Sequence, residues 1–531
     1  MKRRTRLTYS LAALATTALV ITGCSSGSPS PTPSGTNVVL PAGVTQNITI
    51  GGFSLNTLDP GAATGFNGPG EAIVQNVFGE LVDPPATPGG DYVPDLATAW
   101  KYNADFTQLT LTLRPNVTFT DGTPFDAAAV KFNYDRYTTT TSRVSQYVGV
   151  IASTVVVDPT TVQINFTTPD TNFLDVLALT VGGSIQSPTA IQKGADKYGL
   201  NIVGAGPFMQ SAYTPGTQLD LVPNPNYWDA KSTHLQKVTY LNTGVDPSVN
   251  YQQVASGAIQ VYQVNGVNSS PSVLTDAKGN SGISVVTTDD NQYLFLPLNI
   301  TTAPFNNPAA RQALDYCMDR PTLAKAVTQN FGNPAWIDGG SSTLYYPGGG
   351  YSSYPSKFPY PFDTSKGTAL VSQLGGLSFD LYNMGGQYTV VANALAQMWK
   401  ANCGINATVQ TDTPPALATR ITSGSYSAVL TISGGLDDPS FFRTFQTNTP
   451  QGKYTGGVGH PEITGPISEA TQTNDPAKLA SLWEEVWKQV NTQGFTIPVL
   501  SGPIYYLQNT CLQGSQYFGS GATYRYAYLS C

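Results

Sequence analysis

The sequence is poor in charge. Only 11% of its 531 residues are Asp, Glu, Lys or Arg, whereas about 25% is usual for a soluble protein. The 26 basic residues are outnumbered by 33 acidic ones, and the net charge of −7 excludes the basic face that nucleic acid phosphates require. Histidine is scarce, with two in the whole chain, which argues against a His-rich metal site. We therefore expect no nucleic acid partner, no bound metal and no cofactor.

Apolar residues are plentiful by contrast. Hydrophobic residues make up 40% of the chain and aromatic ones 11%, which favours packed domains over disorder. Strand and helix patterns alternate irregularly between Gly, Pro, Asn and Asp turn signals, as in a mixed α/β protein. Leu109–Leu113 alternates Leu with Thr and predicts a half-buried strand, and Phe125–Tyr137 predicts a helix capped by Asp126. Val155–Val157 and Val162–Phe166 flank a turn sequence and predict a hairpin.

The first 46 residues have the pattern of an export signal and a tether. Four basic residues precede an apolar run, Leu7–Ile21, that is too short to span a membrane and has the length of a signal h-region. The run ends in Ile21-Thr22-Gly23-Cys24, which resembles the bacterial lipobox. The resemblance implies a signal peptide over 1–23, lipidation of Cys24, and an extended tether over 24–46. An ordinary signal peptide with an incidental cysteine is the alternative.

Four motifs in order carry a family resemblance. They are PDLATAW (94–100) with LTLRPNVTFTDGTPFDAAAVKF (111–132), VGAGPF (203–208) with NPNYWD (224–229), LNITTAPFNNPAARQALDYCMDR (298–320), and DDPSFF (437–442) ahead of a helical pattern at Ala477–Val490. Over about residues 47–510 they resemble the extracellular solute-binding proteins of ABC importers, family 5, the dipeptide, oligopeptide and nickel group. Most of these residues are of scaffold type, because turns, caps and large aromatics serve packing more often than ligand contact.

The resemblance implies an α/β fold of the periplasmic-binding-protein type II (cluster C), with two lobes, three domains and a hinged ligand cleft. Domain I would combine 47–79, 198–292 and 496–531; domain II would be 80–197; domain III would be 293–495. The expected crossings between lobes are Val203–Pro207, Thr288–Leu294 and Thr496–Pro498. Ligand would be enclosed between the lobes by hinge closure.

Four cysteines remain after Cys24, and an exported chain can pair them. Three pairings are possible. Cys317–Cys403 with Cys511–Cys531 is preferred, because each pair then lies within one domain that the resemblance implies. Four buried thiols are the alternative.

The candidate ligand contacts lie at strand ends and loops that the resemblance turns toward the cleft. A plain turn, core packing or a strand cap is the alternative for each. They are Asn56, Thr57, Phe78, Asn299, Tyr345, Tyr382 and Asn383.

One departure from the family pattern lies in Thr431–Pro439. Peptide binders of this family commonly carry an Asp four residues before that Pro, where it holds the α-ammonium of the peptide. This chain has Gly435 there, and Asp437 is a candidate replacement. The departure leaves room for a blocked peptide, a sugar or another polar solute.

The sequence thus predicts an exported lipoprotein on the outer face of the cell membrane. It would act as a monomer and pass a small polar solute, with a peptide as the leading class, to a heterodimeric permease driven by cytoplasmic ATPases. A carbohydrate-binding importer component is the alternative, and a ligand-sensing lipoprotein is an alternative of another class. A hydrolase is disfavoured, since neither His234 nor His460 lies in a catalytic pattern and no G-x-S-x-G nucleophile elbow, with the motif between a strand and a helix, is predicted. We expect no catalytic residues.

Overall fold

The computed structural model describes residues 38–53, 57–62, 69–85, 90–140, 142–194, 198–244, 246–267, 270–288, 292–341, 343, 352–434, 460–518 and 521–531. The helices longer than one turn are α1 (Pro69–Val77), α2 (Ala127–Tyr137), α3 (Arg143–Val148), α4 (Phe173–Leu179), α5 (Pro188–Gly194), α6 (Pro247–Ala255), α7 (Pro271–Gly279), α8 (Pro308–Tyr316), α9 (Arg320–Thr328), α10 (Thr364–Gln373), α11 (Gln387–Cys403), α12 (Pro414–Ser423), α13 (Pro461–Ala470) and α14 (Pro476–Gln493).

The strands are β1 (Asn47–Gly51), β2 (Val82–Asp83), β3 (Val93–Pro94), β4 (Ala97–Tyr102), β5 (Gln108–Leu113), β6 (Ile151–Asp158), β7 (Thr161–Phe166), β8 (Phe208–Thr214), β9 (Gln218–Pro223), β10 (Lys237–Leu241), β11 (Val261–Asn265), β12 (Ile283–Thr287), β13 (Gln292–Pro297), β14 (Asn333–Pro334), β15 (Ser378–Asn383), β16 (Asn406–Thr411), β17 (Ala428–Val429), β18 (Thr431–Gly434), β19 (Thr496–Gly502), β20 (Ile504–Asn509), β21 (Leu512–Gln513), β22 (Gln516–Phe518), β23 (Gly521–Thr523) and β24 (Tyr528–Leu529).

A seven-stranded sheet is the centre of the first unit. Its strand order is β12-β20-β11-β1-β10-β9-β8, so that distant stretches of the chain pair within one sheet. β1 is parallel to both of its neighbours, and its pairing with β10 runs from Asn47 opposite Lys237 to Gly51 opposite Leu241. The pairing agrees with a discontinuous first domain, although the domain boundaries stay predictions.

The second unit packs on that sheet without a break in the core. Its own sheet has the order β4-β5-β7-β6, and buried residues alternate along β5 as the sequence predicts. The predicted helix is α2, where Asp126 caps the first turn by accepting a hydrogen bond of 2.9 Å from the Ala129 amide. The predicted hairpin is β6–β7. Side chains of β1, β5 and α2 belong to one hydrophobic cluster, which ties the two units together.

The third unit has a sheet of order β14-β19-β13-β18 and a smaller parallel sheet of order β16-β15-β17, packed with helices from α8 onward. The expected crossing at Thr496–Pro498 lies inside β19. That strand stays paired with β13 until Gly502, and the chain turns into the first sheet only at Pro503. The crossing therefore comes later than predicted, because strand pairing continues to Gly502.

The motifs that carry the family resemblance form scaffold where the structure describes them. Asp95 of the first motif accepts hydrogen bonds of 2.8 Å from Trp228 Nε1 and from Arg525 Nη2. Arg114 donates to the Asp95 carbonyl and stacks 3.6 Å above the Trp228 ring. The first two motifs therefore meet at one buried carboxylate. In the third motif, Asp315 pairs with Arg320, whose Nε donates to the Pro498 carbonyl. The fourth motif, at 437–442, lies outside the described residues.

Both preferred disulfides are present. Cys317 at the end of α8 pairs with Cys403 at the end of α11, and Cys511 pairs with Cys531. The predicted connectivity is confirmed. Within the described part of the chain no helix has the length and apolarity needed to cross a membrane, and no group of three or more His, Cys, Asp or Glu could hold a metal ion.

Candidate ligand cleft

The strand order of the first sheet marks a place for a ligand. β1 lies between β11 and β10, both parallel to it; the chain after β1 returns to the sheet at β8 on one side, whereas the chain after β10 passes β1 to β11 on the other, so connections from these neighbouring strands run in opposite directions. Ligands of open α/β sheets bind in the crevice outside the carboxyl ends of strands at such a switch point. Here that crevice lies beyond Gly51, Leu241 and Asn265, which end the three strands at one edge.

The backbone at this edge is held by contacts that exclude side chains. A Cβ on Gly51 would lie 2.5 Å from Ile259 Cδ1, and Gly52 adopts a φ of +84° that favours glycine. The Gly52 amide donates to Thr243 Oγ1 at 2.8 Å. The chain after β1 is thereby directed out of the sheet at the switch point.

The third unit meets the first at the same edge. Two segments cross between them, one from β12 to β13 and one from β19 to β20. They are pinned together, since the Thr288 amide donates to the Ile504 carbonyl at 3.0 Å and the Ile504 amide donates to Thr288 Oγ1 at 3.2 Å. The Gly266 amide, just past β11, donates to the Pro503 carbonyl at 2.9 Å. This compact junction is the candidate hinge and one wall of the cleft.

Gln292 is a residue at this junction that the sequence reasoning missed. It begins β13, between the glycines that end β18 and β19. Its Oε1 is buried and has no hydrogen-bond partner within the described ranges. The only sequence signal is a polar residue at the start of an apolar strand.

Of the predicted residues that the structure describes, Thr57 lies nearest the switch point along the chain. It is half-buried against Gly199, where a Cβ would come within 2.0 Å of Thr57 Oγ1. The following residues are fixed, because the Leu58 amide donates to the Gly199 carbonyl and Asp59 forms a two-point ion pair with Arg136 of α2. Asn56 lies outside the described residues.

Phe78 has a different environment from the one predicted. Its side chain is fully buried in the shared core of the first two units, and its carbonyl accepts a hydrogen bond of 3.2 Å from the Ala205 amide. The described geometry makes it a packing residue behind the cleft, and its contact with ligand stays a prediction.

Asn299 and Asn383 use their amides within the chain. Asn299 donates to the carbonyls of Gly424 and Tyr426 and accepts from the amide and hydroxyl of Thr301. Asn383 donates to the Gln410 carbonyl and accepts from the Gly385 amide and Thr389 hydroxyl. Both side chains are buried, so each fixes a strand end in the third unit. Their contact with ligand also stays a prediction.

Tyr382 is half-buried, and one face of its ring is covered by Arg420 at 4.0 Å. Asp412 accepts a hydrogen bond of 2.7 Å from Arg420 Nε, and this bond raises the pKa of the guanidinium. The cation is therefore fixed over the ring, and the half-buried Tyr382 side chain also packs against the hydrophobic cluster of the third unit that contains Trp483 and Trp487. Tyr345, Gly435, Asp437 and the lipidation candidate Cys24 lie outside the described residues.

Thr57 thus lies against Gly199 in the first two units, and Tyr382 lies on β15 in the third unit, so the two residues belong to the parts of the chain that the junction connects.

Similarity to known proteins identifies the family of this chain. The model of the bacterial extracellular solute-binding proteins, family 5 (middle), matches residues 91–453. The glutathione-binding protein GsiB of Salmonella paratyphi A is 26% identical over 425 residues, which cover 74% of this chain and 78% of that protein.

Two solved structures show the same fold. The Escherichia coli murein tripeptide binding protein MppA superposes with a TM-score of 0.79 at 22% identity, covering 93% of this chain and all of that one. MoaA of A. tumefaciens R10, in complex with mannopinic acid, superposes with a TM-score of 0.77 at 23% identity over 92% of this chain and all of that one. The periplasmic-binding-protein type II fold is confirmed. The chain belongs to family 5 of the bacterial extracellular solute-binding proteins, the substrate-binding components of ABC importers.

Proposed function

We propose that the solute is a short peptide or a peptide-like molecule, held at the carboxyl end of β1 between the two lobes. The observation that carries the proposal is the switch point at β1, which opens onto the junction with the third unit. Relatives named for glutathione and murein tripeptide support the peptide class.

Ligand would act by stabilising the closed arrangement of the lobes. A ligand shifts an open–closed equilibrium only through its higher affinity for one state, so it must contact both lobes at once. We assign two contacts: Thr57 in the first lobe, which consists of the first two units, and Tyr382 in the second lobe, which is the third unit. Asn56, Tyr345, Gly435 and Asp437 are further contacts in this proposal, and ligand contact by Phe78, Asn299 and Asn383 stays a prediction.

A non-peptide solute is the second candidate. MoaA, of the same fold, is described in complex with mannopinic acid, and this chain has Gly435 where peptide binders commonly carry the carboxylate for an α-ammonium. A ligand without a free α-ammonium, such as a blocked peptide or a sugar derivative, would suit that position.

Thermal unfolding of residues 25–531 tests the ligand class. Three pools are compared: free tripeptides, the same tripeptides N-acetylated, and oligosaccharides. A ligand at about 100 times its Kd stabilises the folded state by about 2.7 kcal/mol, a shift of a few degrees. We expect a shift with tripeptides that survives acetylation. A shift with oligosaccharides alone would replace the peptide proposal by the second candidate.

Two variants separate ligand contact from stability. Tyr382→Ala removes the proposed aromatic contact, and Tyr316→Ala removes a half-buried tyrosine that makes an edge-to-face contact with Tyr360 elsewhere in the third unit. We expect the ligand-induced shift to shrink in the first variant and to persist in the second. Equal ligand-induced shifts in both would exclude Tyr382 from the site.

The place of the protein in the cell is a further part of the proposal. We infer that it is held at the outer face of the cell membrane by lipid on Cys24 and delivers its solute to a heterodimeric permease. The full chain should incorporate labelled palmitate, and Cys24→Ala should abolish the incorporation and leave the signal peptide uncleaved. Equal incorporation in that variant would contradict lipidation at Cys24.

A further inference from the structure

The two disulfides differ sharply in exposure. Cys317 is fully buried and Cys403 is 6% exposed. The backbone of α10 covers them, because a Cβ on Gly367 would lie 2.2 Å from Cys317 Sγ and 2.7 Å from Cys403 Sγ. Cys511 is half-buried and Cys531 is exposed. A thiol in solution can therefore reach the second bond and not the first.

The exposed disulfide closes a segment that we call the C-terminal strap, residues 511–531. Its described residues include four that are almost completely buried: Leu512, Ala522, Tyr524 and Ala527. Although the disulfide is exposed, the strap itself is thus part of the core of the first lobe.

The strap holds three separate stretches of the first lobe. Asn76 of α1 donates to the Ala522 carbonyl at 2.7 Å and accepts from the Tyr524 amide at 2.9 Å. Gln46, just before β1, accepts from the Leu529 amide at 2.7 Å and donates to its carbonyl at 3.1 Å. These bonds connect α1 and the start of β1 through one short segment.

The third stretch is held by charge. Arg525 is 4% exposed and donates to Asp95 Oδ2 at 2.8 Å and to Asp83 Oδ2 at 3.1 Å. Without the guanidinium, two carboxylates would face each other in the core, which is strongly unfavourable. The packing of the first two units thus depends on the strap staying in place.

We propose that the Cys511–Cys531 disulfide is a thiol-exchange site whose opening loosens the C-terminal strap and the first lobe. A thiolate attacks Cys531 Sγ, the S–S bond breaks, and Cys511 leaves as a thiolate that takes up a proton. The product is a mixed disulfide on Cys531, so no other oxidant or reductant is needed. A second thiol resolves it, releasing the symmetrical disulfide of the reagent and leaving both cysteines reduced. The small-thiol class of partner follows from the exposure of Cys531.

The native protein is incubated at pH 8 with 2-mercaptoethanol, alkylated with iodoacetamide, and mapped by peptide mass. 2-Mercaptoethanol is far smaller than the peptide ligand of the proposed function, so the modification of the cysteines does not depend on whether the ligand cleft binds a peptide. We expect Cys511 and Cys531 to be modified at least tenfold faster than Cys317 and Cys403. Equal rates for the two pairs, or no modification while the protein stays folded, would overturn the proposed exchange site.

Hydrogen exchange and thermal unfolding test the effect on the strap. After selective opening we expect faster exchange at the Tyr524 and Leu529 amides, unchanged exchange at Ala129 in α2, and a melting temperature lower by a few degrees. Cys511→Ser/Cys531→Ser should melt at that lower temperature and no longer respond to the thiol at low concentration. If opening changes neither exchange nor melting, the strap does not depend on its disulfide.

Discussion

Asp338→Asn should stabilise the protein, and more so as the pH rises. Asp338 follows β14, is 3% exposed, and accepts a hydrogen bond from Thr496 Oγ1 of β19 through Oδ2. Its Oδ1 has no partner within the described ranges, and the other charge acting on it is the carboxylate of Asp315. Burial, with the smaller effect of Asp315, raises the pKa of Asp338 from 3.8 to about 7.

The expected change in stability follows from the difference between the pKa of Asp338 in the folded state and in the unfolded state. Because the folded-state pKa lies above the unfolded-state value, the unfolded state gains stability by losing its proton as the pH rises from 4 to 7. Asp338 therefore lowers the free energy of unfolding by about 4 kcal/mol at pH 8 and by between about 1 and 2 kcal/mol at pH 5, because each pH unit between the two pKa values contributes about 1.4 kcal/mol. Both are upper values, since a buried carboxyl recruits water when it ionises.

Urea unfolding of wild type and variant at pH 5 and pH 8 gives the comparison. Asp83, whose pKa burial also raises, is present in both proteins and cancels in the difference, whereas the smaller interaction with Asp315 is part of the effect that Asp338→Asn removes. Asp105→Asn is the matched control, because the Thr107 hydroxyl lowers the pKa of this exposed carboxyl and no stabilisation should appear. A stability difference for Asp338→Asn that is the same at both pH values would refute the reasoning.

Three further substitutions test the scaffold. Arg525→Met leaves the buried Asp95 and the half-buried Asp83 without their cation and should cost about 3–5 kcal/mol in urea unfolding. Lys131→Met, at an exposed pair with Asp135, should cost less than about 1 kcal/mol, and similar losses in the two variants would argue against the buried cluster. Gly367→Ala places a methyl group against the buried disulfide and should lower the melting temperature, whereas Gly279→Ala, where a Cβ has nothing within 4 Å, should not. An unchanged melting temperature for Gly367→Ala would contradict the close packing of α10 on the disulfide. Asp126→Ala removes the cap of α2 and should cost about 1 kcal/mol, a loss that Asp126→Asn should largely avoid; equal losses in both variants would exclude the capping role.

Local structure was predictable where the side-chain pattern is itself the cause. The alternation at Leu109–Leu113 exists because one face of β5 is buried, and Asp126 lies where a helix needs an acceptor. The disulfides followed once the family resemblance had grouped the cysteines by domain. The family, the fold and the substrate-binding role were likewise available from the motifs.

The site was less predictable, because the same residue types serve ligands and backbone alike. Asn299 and Asn383 end apolar strands, as cleft residues do, yet their amides satisfy backbone groups that only the folded chain brings near. Phe78 is aromatic near the expected cleft, but its core partners come from distant segments. The late crossing after Gly502 depends on pairing with β13, more than 200 residues earlier in sequence.

The position of the two crossings would set how far each part of the cleft moves if the lobes close by rotating about them. They leave the first sheet from β12 and β20, which are the outermost strands on one side, while β1 lies two strands further in. Neighbouring strands are about 4.8 Å apart, so the lever arm from pivot to switch point is about 10 Å. A swing of about 30° would move a facing group by about 5 Å there and by roughly twice as much or more beyond β8, five strands from β20. The gap near β1, where a small solute would lie, would therefore change least on closure. The gap beyond β8 would change most, so that side would decide whether a bulkier solute fits.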